Sequence, residues 1–148
     1  MGDPRILVVE DNPTDLALTL HALKADGVPK QVDVVRDGAE ALEYLFGAGR
    51  YEGRSVVDGP DLVLLDLKLP LVDGFEVLRA VRSDPSTGSV PITILTASAE
   101  ERDITQSYRL GANSYVVKPS DFKQFATALR LLSAYWLQLN KAAPRRLG

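Results

Sequence analysis

Five polar side chains stand where apolar runs end. Asp66 closes Asp61-Leu62-Val63-Leu64-Leu65-Asp66, and Glu10 and Asp11 follow Ile6-Leu7-Val8-Val9. Thr96 follows the run from Pro91 to Leu95, and Lys118 follows Ser114 to Val117. A lone Asp66 would read as a solvated turn residue or as the cap of the next helix. As a set the residues say more. Three carboxylates gathered in one place repel, and some would be protonated unless a cation intervenes. All-oxygen ligands suit Mg2+, which keeps several waters and takes only one or two carboxylates. A divalent metal, an aspartate nucleophile, a hydroxyl donor and an ammonium are the parts needed for phosphoryl transfer to a carboxylate. In that chemistry the metal and Lys118 offset charge on the phosphoryl oxygens.

The set is useful only if the chain brings these run ends together, and the order of elements does so. Ile6 to Val9 is β-branched and short, a buried strand. Asn12-Pro13 starts a helix, with Leu16, Leu20 and Leu23 on one face and Gly27 suited to its left-handed stop. Val32 to Val35 is a second strand, and Asp37-Gly38 opens a helix with Ala41, Leu42, Leu45 and Phe46 apolar. Residues 47–60 are Gly-rich and exceed the roughly 2–6 residues of an ordinary helix-to-strand loop, so they read as an insertion, a flexible surface loop in preference to a partner-binding arm. The third strand ends at Asp66, and Asp73-Gly74 opens the third helix with Phe75, Val77, Leu78 and Val81. Pro91 to Leu95, a polar helix from Glu100 to Leu110, Ser114 to Val117, and a last helix from Ser120 or Asp121 to about Asn140 complete the chain. Strands that alternate with helices and are apolar throughout predict an α/β fold with a parallel sheet covered on both faces. The flavodoxin-like doubly wound (βα)5 order 2-1-3-4-5 is the natural topology. Its ligand site lies beyond the carboxyl ends of strands 1 and 3, where Glu10, Asp11 and Asp66 meet.

The bulk numbers bound the function. The chain has 148 residues, 45% hydrophobic and 25% charged, enough for one domain with a real core. Net charge is −3, without a basic block beyond Lys141 to Arg146, which argues against nucleic acid as a direct ligand. There is no cysteine and one histidine, so thiolate chemistry, disulfides and Cys- or His-rich metal sites are out. No stretch approaches the roughly 18 apolar residues of a membrane span, and no signal peptide is evident. No membrane role and a cytoplasmic location are therefore expected.

With these positions assembled, the sequence resembles the receiver domains of two-component response regulators. The resemblance rests on Val9-Glu10-Asp11-Asn12, Leu65-Asp66, Pro70 with Asp73-Gly74, Leu95-Thr96-Ala97, and Gly111-Ala112 leading to Tyr115-Val116-Val117-Lys118-Pro119. It covers residues 4–140 as a receiver domain and leaves 141–148 as a short tail. The resemblance implies that Asp66 accepts a phosphoryl group from a sensor histidine kinase. It implies Mg2+ held by Asp11, Asp66 and the backbone carbonyl of Lys68, with Glu10 acting through water. Thr96 and Lys118 would contact the phosphoryl group, Tyr115 would be the aromatic switch that follows Thr96, and Lys118-Pro119 would be a cis peptide. Such a domain catalyses only its own phosphorylation and dephosphorylation. Lys68 and Ser98 occupy positions that tune phosphoryl lifetime in this family, and a shielding Lys68 implies slow self-hydrolysis. A phosphohydrolase of the haloacid-dehalogenase type is disfavoured because Lys68 stands where its general acid would be. A flavodoxin is disfavoured because Glu10-Asp11 would repel a phosphate. A phosphorylation-independent scaffold is opposed by the intact acidic set. His21, mid-helix among leucines, reads as structural.

The expected output is a protein–protein contact with an unknown downstream protein through helix 4, strand 5 and helix 5. Phe125, Leu129, Leu132 and Trp136 form the core stripe of the last helix. Leu131 and Tyr135 lie off that stripe with Leu137 nearby, which predicts a homodimer interface. The Gly-rich insertion and Ala134-Tyr135-Trp136-Leu137 with Leu139-Asn140 look like the stand-alone regulators paired with bacterial phytochrome kinases. That likeness implies a bacteriophytochrome as the upstream kinase.

Overall fold

Four-residue and five-residue apolar runs build the centre of the molecule. The structure is a computed structural model that describes residues 2–56 and 59–144. Strands β1 (Arg5–Val9), β2 (Gln31–Val35), β3 (Leu62–Leu65), β4 (Ile92–Thr96) and β5 (Ser114–Val117) form one sheet, all parallel, in the order β2-β1-β3-β4-β5. The expected flavodoxin-like (βα)5 topology is therefore the observed one. Helices α1 (Pro13–Ala25), α2 (Gly38–Phe46), α3 (Gly74–Ser83), α4 (Glu101–Arg109) and α5 (Phe122–Ala134) alternate with the strands.

Strand side chains alternate between two cores. Leu7, Val9, Val63 and Leu65 pack with Ala41, Leu45, Val77, Leu78 and Val81 of α2 and α3. Ile6, Val8, Leu62 and Leu64 pack on the other face with Leu16 and Leu23 of α1 and Phe125 and Leu129 of α5. β1 and β3 are buried on both faces, which is why they contain almost nothing but Val, Leu and Ile.

The helix starts are written locally. Asn12, Asp37, Asp73 and Asp121 each accept a backbone N–H from three residues on, as N-caps do. α5 ends as an α-helix at Ala134 rather than near Asn140. A wider π turn, Tyr135–Leu139, follows, with Asn140 N–H donating to the Tyr135 carbonyl at 2.6 Å. That turn directs Trp136 and Leu137 onto the α1/α5 core and leaves Tyr135 and Leu139 exposed. Leu137 is thus a packing residue and not part of the exposed pair's surface.

The described part of the insertion is folded against its neighbouring helix. A short 3-10 turn at Gly49–Tyr51 folds it back on α2. Tyr51 Oη donates to Glu40 at 2.7 Å, Arg54 Nε donates to the Tyr44 carbonyl at 2.8 Å, and the Arg54 guanidinium lies 4.1 Å from the Tyr44 ring centroid. Residues 57 and 58 of this stretch, and 145–148 of the tail, lie outside the described residues. Among the described residues no helix is long and apolar enough to cross a membrane.

Candidate phosphoacceptor site

The β1 and β3 registers pair Val9 with Leu65, so the residues that follow, Glu10 and Asp66, emerge side by side. β4 and β5 pair Thr96 with Val117, which sets Lys118 one step beyond Thr96. Backbone bonds fix these ends: Asp66 N–H donates to the Val9 carbonyl at 3.1 Å and Lys118 N–H donates to the Thr96 carbonyl at 2.7 Å. Behind Asp66 the chain turns sharply into α3. Gly74 is required there, because a Cβ on it would stand 2.4 Å from the Asp66 carbonyl oxygen. Leu71 in the same turn is held at φ 68°, a left-handed conformation that L side chains rarely adopt, with its side chain in solvent.

The result is a cavity of about 420 Å³ lined by Asp11, Asn12, Asp15, Asp66, Lys68, Thr96, Ser98 and Lys118, among others. A second depression shares Asp11, Lys68, Thr96 and Ser98 and extends to Phe75 and Asp103. Lys118 is the centre of the site. Its ammonium donates to Glu10 Oε1 at 2.6 Å, Asp15 Oδ2 at 2.8 Å and Asp66 Oδ2 at 2.9 Å. Burial alone would lower the Lys118 pKa, but the bonds from Asp15, Glu10 and Asp66 more than reverse this and push it above the ordinary lysine value. Burial would likewise raise Asp66, yet the Lys118 bond and charge, with smaller help from Glu10 and Thr96, hold it below the ordinary carboxylate value. Glu10 takes the opposite course. Burial pushes it up to about 7, with the Asp66 charge adding to the rise and Lys118 opposing it. Near neutral pH the site therefore presents an ionised Asp66 beside a Glu10 that readily holds a proton.

Among the other expected residues, Thr96 is buried and Asp11 is exposed at the cavity rim. Lys68 N–H faces Asp66 Oδ1 at a long 3.4 Å. Tyr115 is half-buried, and its Oη donates to the Ser98 carbonyl at 2.9 Å. Ser98 Oγ in turn donates to Asp103 Oδ2 at 2.6 Å, in the first turn of α4. Two expectations are corrected. The Lys118–Pro119 peptide is not cis, since the described residues contain no cis peptide bond. Lys118 is aimed by its N–H bond to Thr96 and by its three carboxylates, and trans is the lower-energy isomer of an X–Pro bond. Nor do three carboxylates gather around a metal position: Glu10, Asp15 and Asp66 converge on Lys118 instead, and among the described residues no group of three or more His, Cys, Asp or Glu side chains could hold one metal ion. Glu10 is turned to Lys118 and to the Asn12 N–H at 3.2 Å. What remains for an ion is a pair of carboxylates, Asp11 and Asp66, plus carbonyl oxygen and water. That hard oxygen set matches what Mg2+ or Mn2+ takes.

Asp15 was not singled out from the sequence. In the first turn of a helix an acid reads as a partner for the helix dipole, and only its placement opposite β5 shows that it reaches Lys118. Leu131 and Tyr135 are 58% and 48% exposed, beside a groove lined by Val116, Leu132 and Trp136.

Comparison with known proteins places this geometry in a family. Residues 6–130 match the response regulator receiver domain family, and the chain belongs to it. A protein of this family works as the signal receiver of a response regulator, the partner of a histidine kinase. Among the relatives are phytochrome response regulators. The response regulator Rcp1 of Synechocystis is 35% identical over 133 residues, 90% of this chain and 88% of that protein. Its solved Mn(2+)-bound form superposes with a TM-score of 0.86 at 33% identity, covering 95% of this chain and 99% of that one. The phosphorylated cyanobacterial phytochrome response regulator RcpA superposes with a TM-score of 0.88 at 39% identity, covering 95% and 99%. The bacteriophytochrome response regulator RtBRR is 48% identical, with a TM-score of 0.76 and coverage of 96% and 85%. The chain is thus homologous to phytochrome response regulators.

Proposed function

We propose that this receiver accepts a phosphoryl group on Asp66 from a kinase phosphohistidine. An ionised Asp66 oxygen attacks phosphorus, the P–N bond breaks, and its electron pair stays on the imidazole nitrogen, leaving an acyl phosphate. The observation that carries the reading is the Lys118 ammonium 2.9 Å from Asp66 Oδ2, which keeps the nucleophile ionised. The same ammonium offsets the charge of the incoming phosphoryl oxygens. Thr96 is the hydroxyl donor, and Tyr115 reports its movement through the Ser98 bond to α4. Mg2+ fits Asp11, Asp66 and the Lys68 carbonyl, with Glu10 acting through water, and supplies charge neutralisation when bound. The functional unit is residues 4–140, and hydrolysis of the acyl phosphate resets it.

The upstream kinase is a bacteriophytochrome, by analogy with RcpA and RtBRR. The output is read on the face built by α4, β5 and α5, where Leu131 and Tyr135 flank an apolar groove and support a homodimer. Intact mass after incubation with acetyl phosphate and Mg2+ tests the reading. One phosphoryl group is gained by the wild type and none by Asp66→Asn. A gain retained in Asp66→Asn would overturn it.

A further inference from the structure

A serine hydroxyl has one proton to donate, and that of Ser98 has two places to go. Ser98 follows Thr96 by two residues and lines both the acceptor cavity and the depression beside it. A hydroxyl in that wall is suited to donate to a phosphoryl oxygen. In the structure its proton is committed elsewhere. Ser98 Oγ donates to Asp103 Oδ2 at 2.6 Å, the short range of a hydroxyl bonded to a carboxylate, and accepts the Glu100 N–H at 3.2 Å. Both partners belong to the start of α4, which has little else to hold it. Its N-cap, Glu100, makes no side-chain cap bond, and of its nine residues Ser107 alone is buried. The Ser98 carbonyl accepts the Tyr115 hydroxyl at 2.9 Å, so the backbone is held from β5 and the choice between the two uses is a side-chain rotation.

We infer that Asp103 is a positioning residue that withholds the Ser98 hydroxyl from the acceptor cavity. While Asp103 holds the proton, Ser98 fastens α4 and offers the cavity no donor. Without Asp103 the hydroxyl turns to the cavity and adds a donor to a phosphoryl group there. The inference rests on Asp66 being the acceptor.

The test is a double-mutant cycle on the binding of beryllofluoride, a phosphoryl mimic, in the presence of Mg2+, followed by 19F NMR of the bound fluorides. Saturable binding to the wild type and none to Asp66→Asn isolates the underlying reading; without that pattern the acceptor assignment fails, and this inference with it. Given that pattern, Ser98→Ala weakens binding about three- to tenfold more in an Asp103→Ala background than in an otherwise wild-type chain, the scale of one hydrogen bond. Asp103→Asn removes the charge but keeps an oxygen that accepts from Ser98, so in that background Ser98→Ala costs what it costs in the wild type. Equal cost of Ser98→Ala in the Asp103→Ala and wild-type backgrounds would overturn the inference. So would the full extra cost in the Asp103→Asn background, which would assign the effect to charge alone.

Discussion

Arg82 and Lys118 are both drawn in from solvent, and they are held in opposite ways. Arg82, in the last turn of α3, donates to the carbonyls of Gly111 at 2.8 Å, Gly88 at 3.1 Å and Val90 at 2.7 Å, and to Asn113 Oδ1 at 2.7 Å. Every acceptor is neutral and set by the backbone or by a side chain that is itself bonded to Ile92 N–H. Gly111 sits at φ 104°, where a Cβ would stand 2.8 Å from the Arg82 side chain. Lys118 is held only by carboxylates. The physical signatures diverge accordingly: burial lowers the Arg82 pKa, whereas Lys118 is raised against burial by its acids. Neutral dipoles give a cation a fixed place and leave no surplus charge. A surplus of carboxylates leaves a place where positive charge is still wanted and where one acceptor can be exchanged for another. Arg82 is held as a structural clamp, and in the proposed reading Lys118 is the working part.

Substituting each cation should separate the two. Lys118→Ala leaves Glu10 and Asp66 facing one another without their shared cation, at a cost of about 3–5 kcal/mol in urea unfolding without metal. Adding Mg2+ should then stabilise this variant by more than it stabilises the wild type. Arg82→Ala should cost about 3 kcal/mol, because its buried carbonyl partners lose their donor. It should gain from Mg2+ only what the wild type gains, and should still take up a phosphoryl group from acetyl phosphate. If both variants respond equally to Mg2+, the distinction between clamp and working cation is lost.

The pH dependence sharpens the comparison from the acid side. Glu10 is raised from an ordinary 4.5 to about 7 in the folded state, so the fold binds a proton that the unfolded chain has released. Stability present at pH 4.5 is therefore lost as pH rises towards 7, by an amount on the order of 2–3 kcal/mol. Asp66, lowered by Lys118, works in the other sense: its contribution is present above 3.8 and is lost as pH falls through its lower folded value. Metal-free unfolding of Glu10→Gln should remove the decline between pH 4.5 and 7. A decline that persists in this variant would assign it elsewhere.

The smallest effect is expected at the surface. Leu131→Arg and Tyr135→Ser should change monomer stability by no more than about 0.5 kcal/mol. They should convert a dimeric mass in light scattering to a monomeric one if the groove beside β5 is the homodimer interface. A wild type that is monomeric at high protein concentration, with and without beryllofluoride, would remove the homodimer.

Much of this was legible in the sequence, for identifiable reasons. Strand β3 is four apolar residues closed by a charge, and helix starts carry Asn or Asp at the cap, so elements and order could be read from local pattern. In a parallel sheet all carboxyl ends share one edge, so Glu10, Asp66, Thr96 and Lys118 could be grouped without coordinates. What escaped depends on side chains that reach between elements. Asp15 meets Lys118 across 103 residues of chain, and Arg82 reaches Asn113 across 31. The glycines of 47–60 suggested looseness, whereas Tyr44, Tyr51 and Arg54 fasten the insertion to α2. The cis peptide at Lys118–Pro119 came from the family resemblance and not from the residues themselves, and the backbone bond of Lys118 to Thr96 is made with that peptide trans.

The central claim is that phosphoryl chemistry occurs at Asp66 and at no other acid of the cavity. Its most direct test is to phosphorylate the protein with acetyl phosphate and Mg2+, reduce the acyl phosphate with borohydride, and map the peptides by mass. The account predicts reduction to homoserine at residue 66, with Glu10, Asp11 and Asp15 unchanged. Homoserine at residue 11 or 15, a reduced Glu10, or a phosphorylated protein with residue 66 unmodified, would contradict it.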